Sequence, residues 1–384
     1  MQTVYLDNAA TTQLAPEVIS AIHESMTTNY GNPSSTHAYG RKAKTAIETA
    51  RKSIASLLHV ESSQIIFTSG GTEADNMAIA CAVRDLGVTR IISSEIEHHA
   101  VLNCVEFLEG DQNIDLQFVN LDDNGSVDLS HLEELLSRDS SKTLVSLMHI
   151  NNEIGNILDL KAVGELCQTY NAYFHSDTVQ SVGHYEMNLS DLPVDFIAVS
   201  AHKFHGPKGA GFLYTKSRNL LKPLIHGGSQ ERELRAGTES VHNIIGLQKA
   251  MELAYANLTK DSAYIKSLKT YFIDALKEEI PGIKFNGLSG DTEKSTYTLV
   301  NVSIPMSTSE SDMMLFQLDL KGIACSKGSA CQSGAQLGSF VLNEVYGENL
   351  AYPGIRFSFS KFTTKQELDY VVSTLKELVV SKTN

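Results

Sequence analysis

The chain has no apolar run approaching the roughly 18 residues that a bilayer span requires, so no membrane association is expected. Its opening, Met1-Gln2-Thr3-Val4-Tyr5, has no basic stretch followed by an apolar one, and no secretory signal is expected there. Cysteine is scarce and scattered, five residues at 81, 104, 167, 325 and 331, with no C-x-x-C spacing. Such a set suits neither a disulfide framework nor a thiolate metal site, and it favours a cytoplasmic location. Basic blocks are missing too. With 31 Lys plus Arg against 45 Asp plus Glu, the formal charge is −14, which argues against direct nucleic-acid binding. No internal repeat, low-complexity tract or Pro- or Ser-rich linker divides the chain.

What is present is a globular composition. The 42% hydrophobic content excludes wholesale disorder, and 384 residues suffice for two or three domains at about 100–200 residues each. Ala43, Ala46, Ile47, Ala50, Ile54, Leu57 and Leu58 share one helix face. Residues 64–68 read as a buried strand closed by Gly70-Gly71. Further strands are expected at 90–93, 143–149, 173–176 and 196–200, with helical stretches between most of them. This alternation predicts a mostly parallel sheet covered on both faces. After about residue 255 the texture changes. A helix at 265–280 ends at Pro281-Gly282, and Val300, Val302 and Ile304 alternate with Asn301 and Ser303, the period of a half-buried antiparallel strand. A last helix places Leu368, Val371, Val372, Leu375, Leu378 and Val379 on one face. The expected fold is α/β, with a large domain at 15–255 and a smaller α+β domain formed by 1–14 plus 256–384.

Three strand-end segments carry chemistry. Phe67-Thr68-Ser69-Gly70-Gly71-Thr72-Glu73 runs from strand to helix, and its glycines let backbone N–H groups approach an anion at a helix start. It is neither a P-loop nor a dinucleotide fingerprint. Ser200-Ala201-His202-Lys203-Phe204-His205-Gly206-Pro207 sets a lysine at a sheet edge, where it can form a Schiff base with a carbonyl compound. His175-Ser176-Asp177-Thr178-Val179-Gln180 ends another strand with a carboxylate able to keep a ring nitrogen protonated. Each segment alone also fits a plainer role: a glycine turn, a surface lysine, a helix-capping aspartate.

Together they are three parts of a pyridoxal phosphate site, and here a resemblance becomes specific. From Tyr5-Leu6-Asp7-Asn8-Ala9-Ala10-Thr11-Thr12 to Ile355-Arg356-Phe357-Ser358 the chain resembles the class V, fold-type-I pyridoxal phosphate enzymes, and among them the NifS/IscS-type cysteine desulfurases. The resemblance implies that Lys203 is the Schiff-base lysine, that Asp177 pairs with the pyridine nitrogen and that Gln180 meets the phenolic oxygen. Asn152, in Asn151-Asn152-Glu153-Ile154-Gly155, would face cofactor and substrate. His98, in Glu97-His98-His99-Ala100-Val101, matches the histidine that stacks on the ring and relays protons, whereas His99 is given no catalytic role. Gly71, Thr72, Ser200 and His202 would hold the phosphate. Thr238, in Arg235-Ala236-Gly237-Thr238, is similar to the threonine that reaches a neighbouring subunit's phosphate, which implies a homodimer. Arg356 resembles the arginine that grips the substrate carboxylate. Gly71 stands where the family often has Ala.

The implied nucleophile is Cys331, in Ser326-Lys327-Gly328-Ser329-Ala330-Cys331-Gln332-Ser333-Gly334. Small neighbours favour an exposed, mobile loop, whereas Cys81, Cys104, Cys167 and Cys325 read as structural. The implied reaction turns L-cysteine into L-alanine and leaves a persulfide on Cys331, from which sulfur passes to an acceptor such as an iron–sulfur scaffold protein. At an ordinary thiol pKa only a few per cent of Cys331 is thiolate at pH 7, and His98 is the leading group to raise that fraction. The alternatives are a selenocysteine lyase or another class V, aminotransferase-like enzyme, and a non-catalytic protein on the same fold.

Overall fold

The computed structural model describes residues 3–112, 114–217, 220–305, 308–328, 339–347, 350 and 354–380. In chain order the elements are β1 (Val4–Tyr5), α1 (Pro16–Thr28), α2 (Ala38–Leu57), β2 (Ile65–Thr68), α3 (Gly71–Leu86), β3 (Arg90–Ser93), α4 (His99–Gln112), β4 (Asp115–Phe118), α5 (Leu129–Ser137), β5 (Thr143–Ser146), α6 (Leu160–Thr169), β6 (Tyr173–Asp177), β7 (Phe196–Ser200) and β8 (Gly211–Thr215). There follow α7 (Val241–Ala256), α8 (Leu258–Glu279), β9 (Lys284–Phe285), β10 (Leu299–Ser303), α9 (Thr308–Leu320), β11 (Ile323–Ala324), α10 (Phe340–Tyr346), β12 (Gly354–Ser358) and α11 (Lys365–Val380). No helix among the described residues is long and apolar enough to cross a membrane.

The large sheet runs β2-β8-β7-β6-β5-β3-β4. Its neighbours from β7 through β6, β5 and β3 to β4 are parallel, and β8 alone is reversed, pairing antiparallel with both β7 and β2. Successive strand residues point to opposite faces, and the core divides accordingly. Ile65, Phe67, Ile92, Val145, Ile197 and Val199 pack with α2, α6 and α7 on one side. Ile66, Ile91, Leu144, Phe196 and Ala198 pack with α3 and α4 on the other. Burial on both faces is what the near-continuous apolar runs of these strands require. The extended backbone of β5 continues to His149, with Leu147 N–H donating to His175 O and His149 N–H to Asp177 O.

A third core joins Val4 and Leu6 to Phe272, Val300, Val302, Ile355, Phe357, Leu368, Val371 and Leu375. Its sheet is β12-β10-β9, antiparallel throughout. The alternation at 300–304 predicts the antiparallel pairing but not the burial: β10 is buried on both faces. The polar face is closed because Asn301 Nδ2 donates to Glu153 O at 3.0 Å and Ser303 Oγ bonds Asn286 Oδ1 at 3.1 Å. Paired polar side chains can be buried at little cost, so period alone does not report exposure here.

Candidate active site

The carboxyl ends of β2, β6 and β7 open on one side of the large sheet, as ligand crevices of open α/β sheets do. There lies a cavity of about 720 Å³. Gly71, Thr72, His98, Asn152, Asp177, Gln180, Ser200, His202, Lys203 and Arg356 all line it, although they come from places spread over most of the chain. Thr238 does not. It is exposed and lines a smaller cavity next to Phe67, Thr68 and Ser69. Cys331 lies outside the described residues.

One wall is the start of α3. The first turn of this 16-residue helix has N–H groups without helical partners, and its dipole favours an anion. Gly70 holds φ +153°, and a Cβ on Gly71 would come within 2.6 Å of Val179 Cγ2. The backbone therefore sits close against β7 and the turn after Asp177. Glu73 braces this turn, accepting from Ser69 N–H at 2.9 Å and from Arg235 Nε at 2.8 Å.

The opposite side is closed by the N-terminal segment. Lys203 Nζ donates to Ala9 O at 2.6 Å and Ala10 O at 2.9 Å, and Gln180 Nε2 donates to Ala9 O at 3.0 Å. Thr12 N–H donates to His202 O at 2.9 Å, and His202 Nδ1 lies 3.1 Å from Thr11 Oγ1. Residues 9–12 thus form a strap across the lysine turn. Arg356, 1% exposed, donates from Nη1 to Asn152 O at 2.7 Å and from Nη2 to Asp7 Oδ1 at 3.0 Å, and its Nε has no partner among the described residues.

The charges follow from burial. Asp177 Oδ1 accepts from Val179 N–H at 2.9 Å. Burial raises its pKa, while His98, that N–H group and Lys203 oppose the rise and favour the anion. Burial lowers His98, which is therefore a neutral ring at pH 7. Its Nδ1 accepts from Ala100 N–H at 3.1 Å, and this bond assigns the ring proton to Nε2. His202 is pushed down to about 4 by burial, then by Lys203 and Lys208. His99 stacks on Phe340 at 4.5 Å between ring centres. Burial pushes the thiols of Cys81, Cys104 and Cys325 up to about 11, 12 and 12, and Cys167 higher still. None of these four lines the cavity.

Among the charged wall residues, Asp7, Glu73, Asp75 and Lys208 carried no role from sequence. Asp7 and Glu73 lie inside quoted motifs, but only the return of the chain shows that they face this space.

The Aminotransferase class-V model matches residues 4–371. The chain belongs to the class-V aminotransferase family. Cysteine desulfurase IscS of Dictyoglomus turgidum is 42% identical over 380 residues, covering 98% of this chain and 94% of that relative. Cysteine desulfurase IscS of Methanosarcina thermophila is 40% identical over 383 residues, covering 98% and 92%. Among solved structures, a NifS-like protein superposes with a TM-score of 0.90 at 33% identity, covering 99% of this chain and 100% of that one. SspA in complex with cysteine superposes with a TM-score of 0.80 at 29% identity, covering 94% and 100%. This class-V chain therefore groups with the IscS- and NifS-type members, whose cofactor is pyridoxal phosphate. The donor set fits that group: a helix-start anion cradle, a buried carboxylate for a ring nitrogen and a strand-end amine in one cavity.

Proposed function

We propose that this chain is a pyridoxal phosphate-dependent cysteine desulfurase that converts L-cysteine to L-alanine and captures the sulfur as a persulfide on Cys331. The observation that carries the reading is the meeting of Lys203, Asp177, the Gly71–Thr72 cradle and Arg356 in one cavity. Gly71, Thr72, Ser200 and His202 would hold the phosphate, Asp177 the ring nitrogen, Gln180 the phenolic oxygen and Lys203 the aldehyde carbon. Bound there, pyridoxal phosphate supplies an electron sink that labilises bonds at the α-carbon of an amino acid.

The remaining work belongs to side chains. Arg356 has N–H donors beyond those given to Asn152 and Asp7, and it orients the substrate carboxylate. Asp7 and Asn152 fix the guanidinium plane. Lys203 Nζ is a base for the α-proton, and neutral His98 carries a proton at Nε2. The thiolate of Cys331 takes the substrate sulfur. An S–S bond forms as the C–S bond breaks, the electron pair stays with the carbon skeleton, and that skeleton takes up protons and leaves as alanine. Burial makes the four described cysteines poor thiolates at pH 7, which supports Cys331 as the nucleophile.

The same reading makes the protein a cytoplasmic homodimer, with Thr238 of one copy reaching the phosphate held by the other. It assigns 1–14 plus 256–384 to a smaller domain that carries Cys331, from which sulfur would pass to an iron–sulfur scaffold or another sulfur acceptor. The test uses purified protein and L-cysteine. Cys331→Ala is expected to keep the visible absorbance of bound cofactor and lose persulfide and sulfide formation, whereas Lys203→Ala loses both. Undiminished sulfide release by Cys331→Ala overturns the assignment.

A further inference from the structure

Behind the cavity lies a chain of buried polar groups that the proposed reaction does not use. Asp75, in the second turn of α3, is 1% exposed and lines the same cavity as Asp177. His175 is fully buried on β6, two residues before Asp177 and so on the same face of that strand. His175 Nε2 stands 3.3 Å from Asp75 Oδ1, short of hydrogen-bond alignment, and neither atom has another hydrogen-bond partner among the described residues. On its other side His175 Nδ1 is 2.8 Å from Ser146 Oγ of the neighbouring strand β5. Ser146 O in turn accepts from Ser93 Oγ on β3 at 2.9 Å.

The charge balance of this corner is decided by what faces Asp75. From β6 it meets His175 and the carboxylate of Asp177, from the loop before α4 the buried Glu97, and from α4 the thiol of Cys104. No cation is among these groups. Asp177 differs, with a backbone N–H donor and Lys203 facing it. Two carboxylates close together in a low-dielectric space cannot both stay ionised without compensation, and the one with a donor and a cation facing it keeps the charge. Burial and the neighbouring carboxylates raise Asp75 well above the ordinary aspartate value, which favours its neutral acid, and burial lowers His175 to about 3, which leaves its ring neutral at pH 7.

We propose that Asp75 and His175 are positioning residues: Asp75 is a neutral carboxylic acid that donates to His175 Nε2, His175 passes its Nδ1–H to Ser146 Oγ, and this uncharged chain confines the negative charge to Asp177. The inference deepens the pyridoxal phosphate reading and rests on it for its purpose, since an anion at Asp177 is what keeps a ring nitrogen protonated. The hydrogen-bond chain also fixes the imidazole tautomer and the rotamer of Asp75, which keeps a second anion out of the site.

The test reads the protonation of Asp75 directly. Full-length protein as purified, labelled with 13C-aspartate, is examined by infrared spectroscopy at pH 7. Surface aspartates are ionised there, so a label-shifted carboxylic-acid band is expected from Asp75, and it is expected to vanish in Asp75→Asn. In that variant the pH titration of bound-cofactor absorbance is expected to keep its midpoint within about half a pH unit, because amide replaces neutral acid. If Asp75 were ionised, losing its charge would lower the midpoint by roughly one unit or more. Absence of an aspartic-acid band in the labelled wild-type protein overturns the proposal without any variant, as does a band that persists in Asp75→Asn. Failure of the pyridoxal phosphate reading would show differently: no cofactor absorbance and no cysteine turnover, with the infrared result still readable.

Discussion

At the scale of single residues, burial governs this site more than direct pairing. Glu97 is 1% exposed; its Oε1 accepts from Ser94 Oγ and Met148 N–H, both at 2.9 Å, while Oε2 has no hydrogen-bond partner among the described residues. Its pKa is pushed up to about 8, chiefly by burial. The folded chain therefore keeps a proton that the unfolded chain releases from about pH 4.3 upward. The stability contribution is complete below that value and is lost as pH rises toward 8, with a limiting slope of about 1.4 kcal/mol per pH unit. Glu97→Gln, neutral at every pH, is expected to lack this slope. Stability from urea unfolding should match wild type near pH 4 and exceed it by up to a few kcal/mol near pH 8. A pH-independent difference would mean that Glu97 ionises normally. Sequence could mark Lys203 and Asp177 as strand-end polar residues, because strands and turns announce themselves locally. It could not assign Asp75 or Asp7, whose neighbours come from remote parts of the chain.

At the scale of elements, the anion cradle is braced by a strained turn. Glu231, Arg232 and Glu233 hold φ values of +45°, +57° and +70°, a left-handed run that non-glycine residues adopt at roughly 1–2 kcal/mol each. The strain is held from outside. Glu231 bonds Arg51 of α2 through both carboxylate oxygens, at 2.7 and 2.8 Å, and accepts from Phe67 N–H of β2 at 2.8 Å. Arg232 reaches Glu48 at 2.8 Å, and the following Arg235 grips Glu73 at the start of α3. Arg51 and Glu231 are both nearly fully buried. Glu231→Ala would leave the buried Arg51 with Glu48 alone, at 3.2 Å from Nε, and free the turn, so a loss of about 3 kcal/mol is expected in denaturant unfolding. A wild-type midpoint would show that the turn holds itself. Here too the pattern in sequence was partial. The alternation at 300–304 gave an antiparallel strand, but a hydrogen-bonded polar face let β10 be buried on both sides.

At the scale of the whole molecule, the exposed Thr238 stands apart from the cavity that the other phosphate-contact candidates share, and the proposed homodimer accounts for its place. Light scattering of the purified protein is expected to give twice the chain mass. Thr238→Ala is expected to weaken cofactor retention about tenfold or more, the loss of one hydrogen bond to a charged group. A monomer that retains cofactor and turns over cysteine would overturn the arrangement. Sequence by itself determined the alternation of elements, the two-faced sheet and the strand ends carrying Lys203 and Asp177, because hydrophobic period, glycine turns and caps act over a few residues. Tertiary structure alone decided that residues 9–12 strap Lys203, that Asp7 backs Arg356, and that Asp75 meets His175 away from any cation. Those contacts join segments up to 349 residues apart, and their protonation follows from burial, which no local pattern encodes.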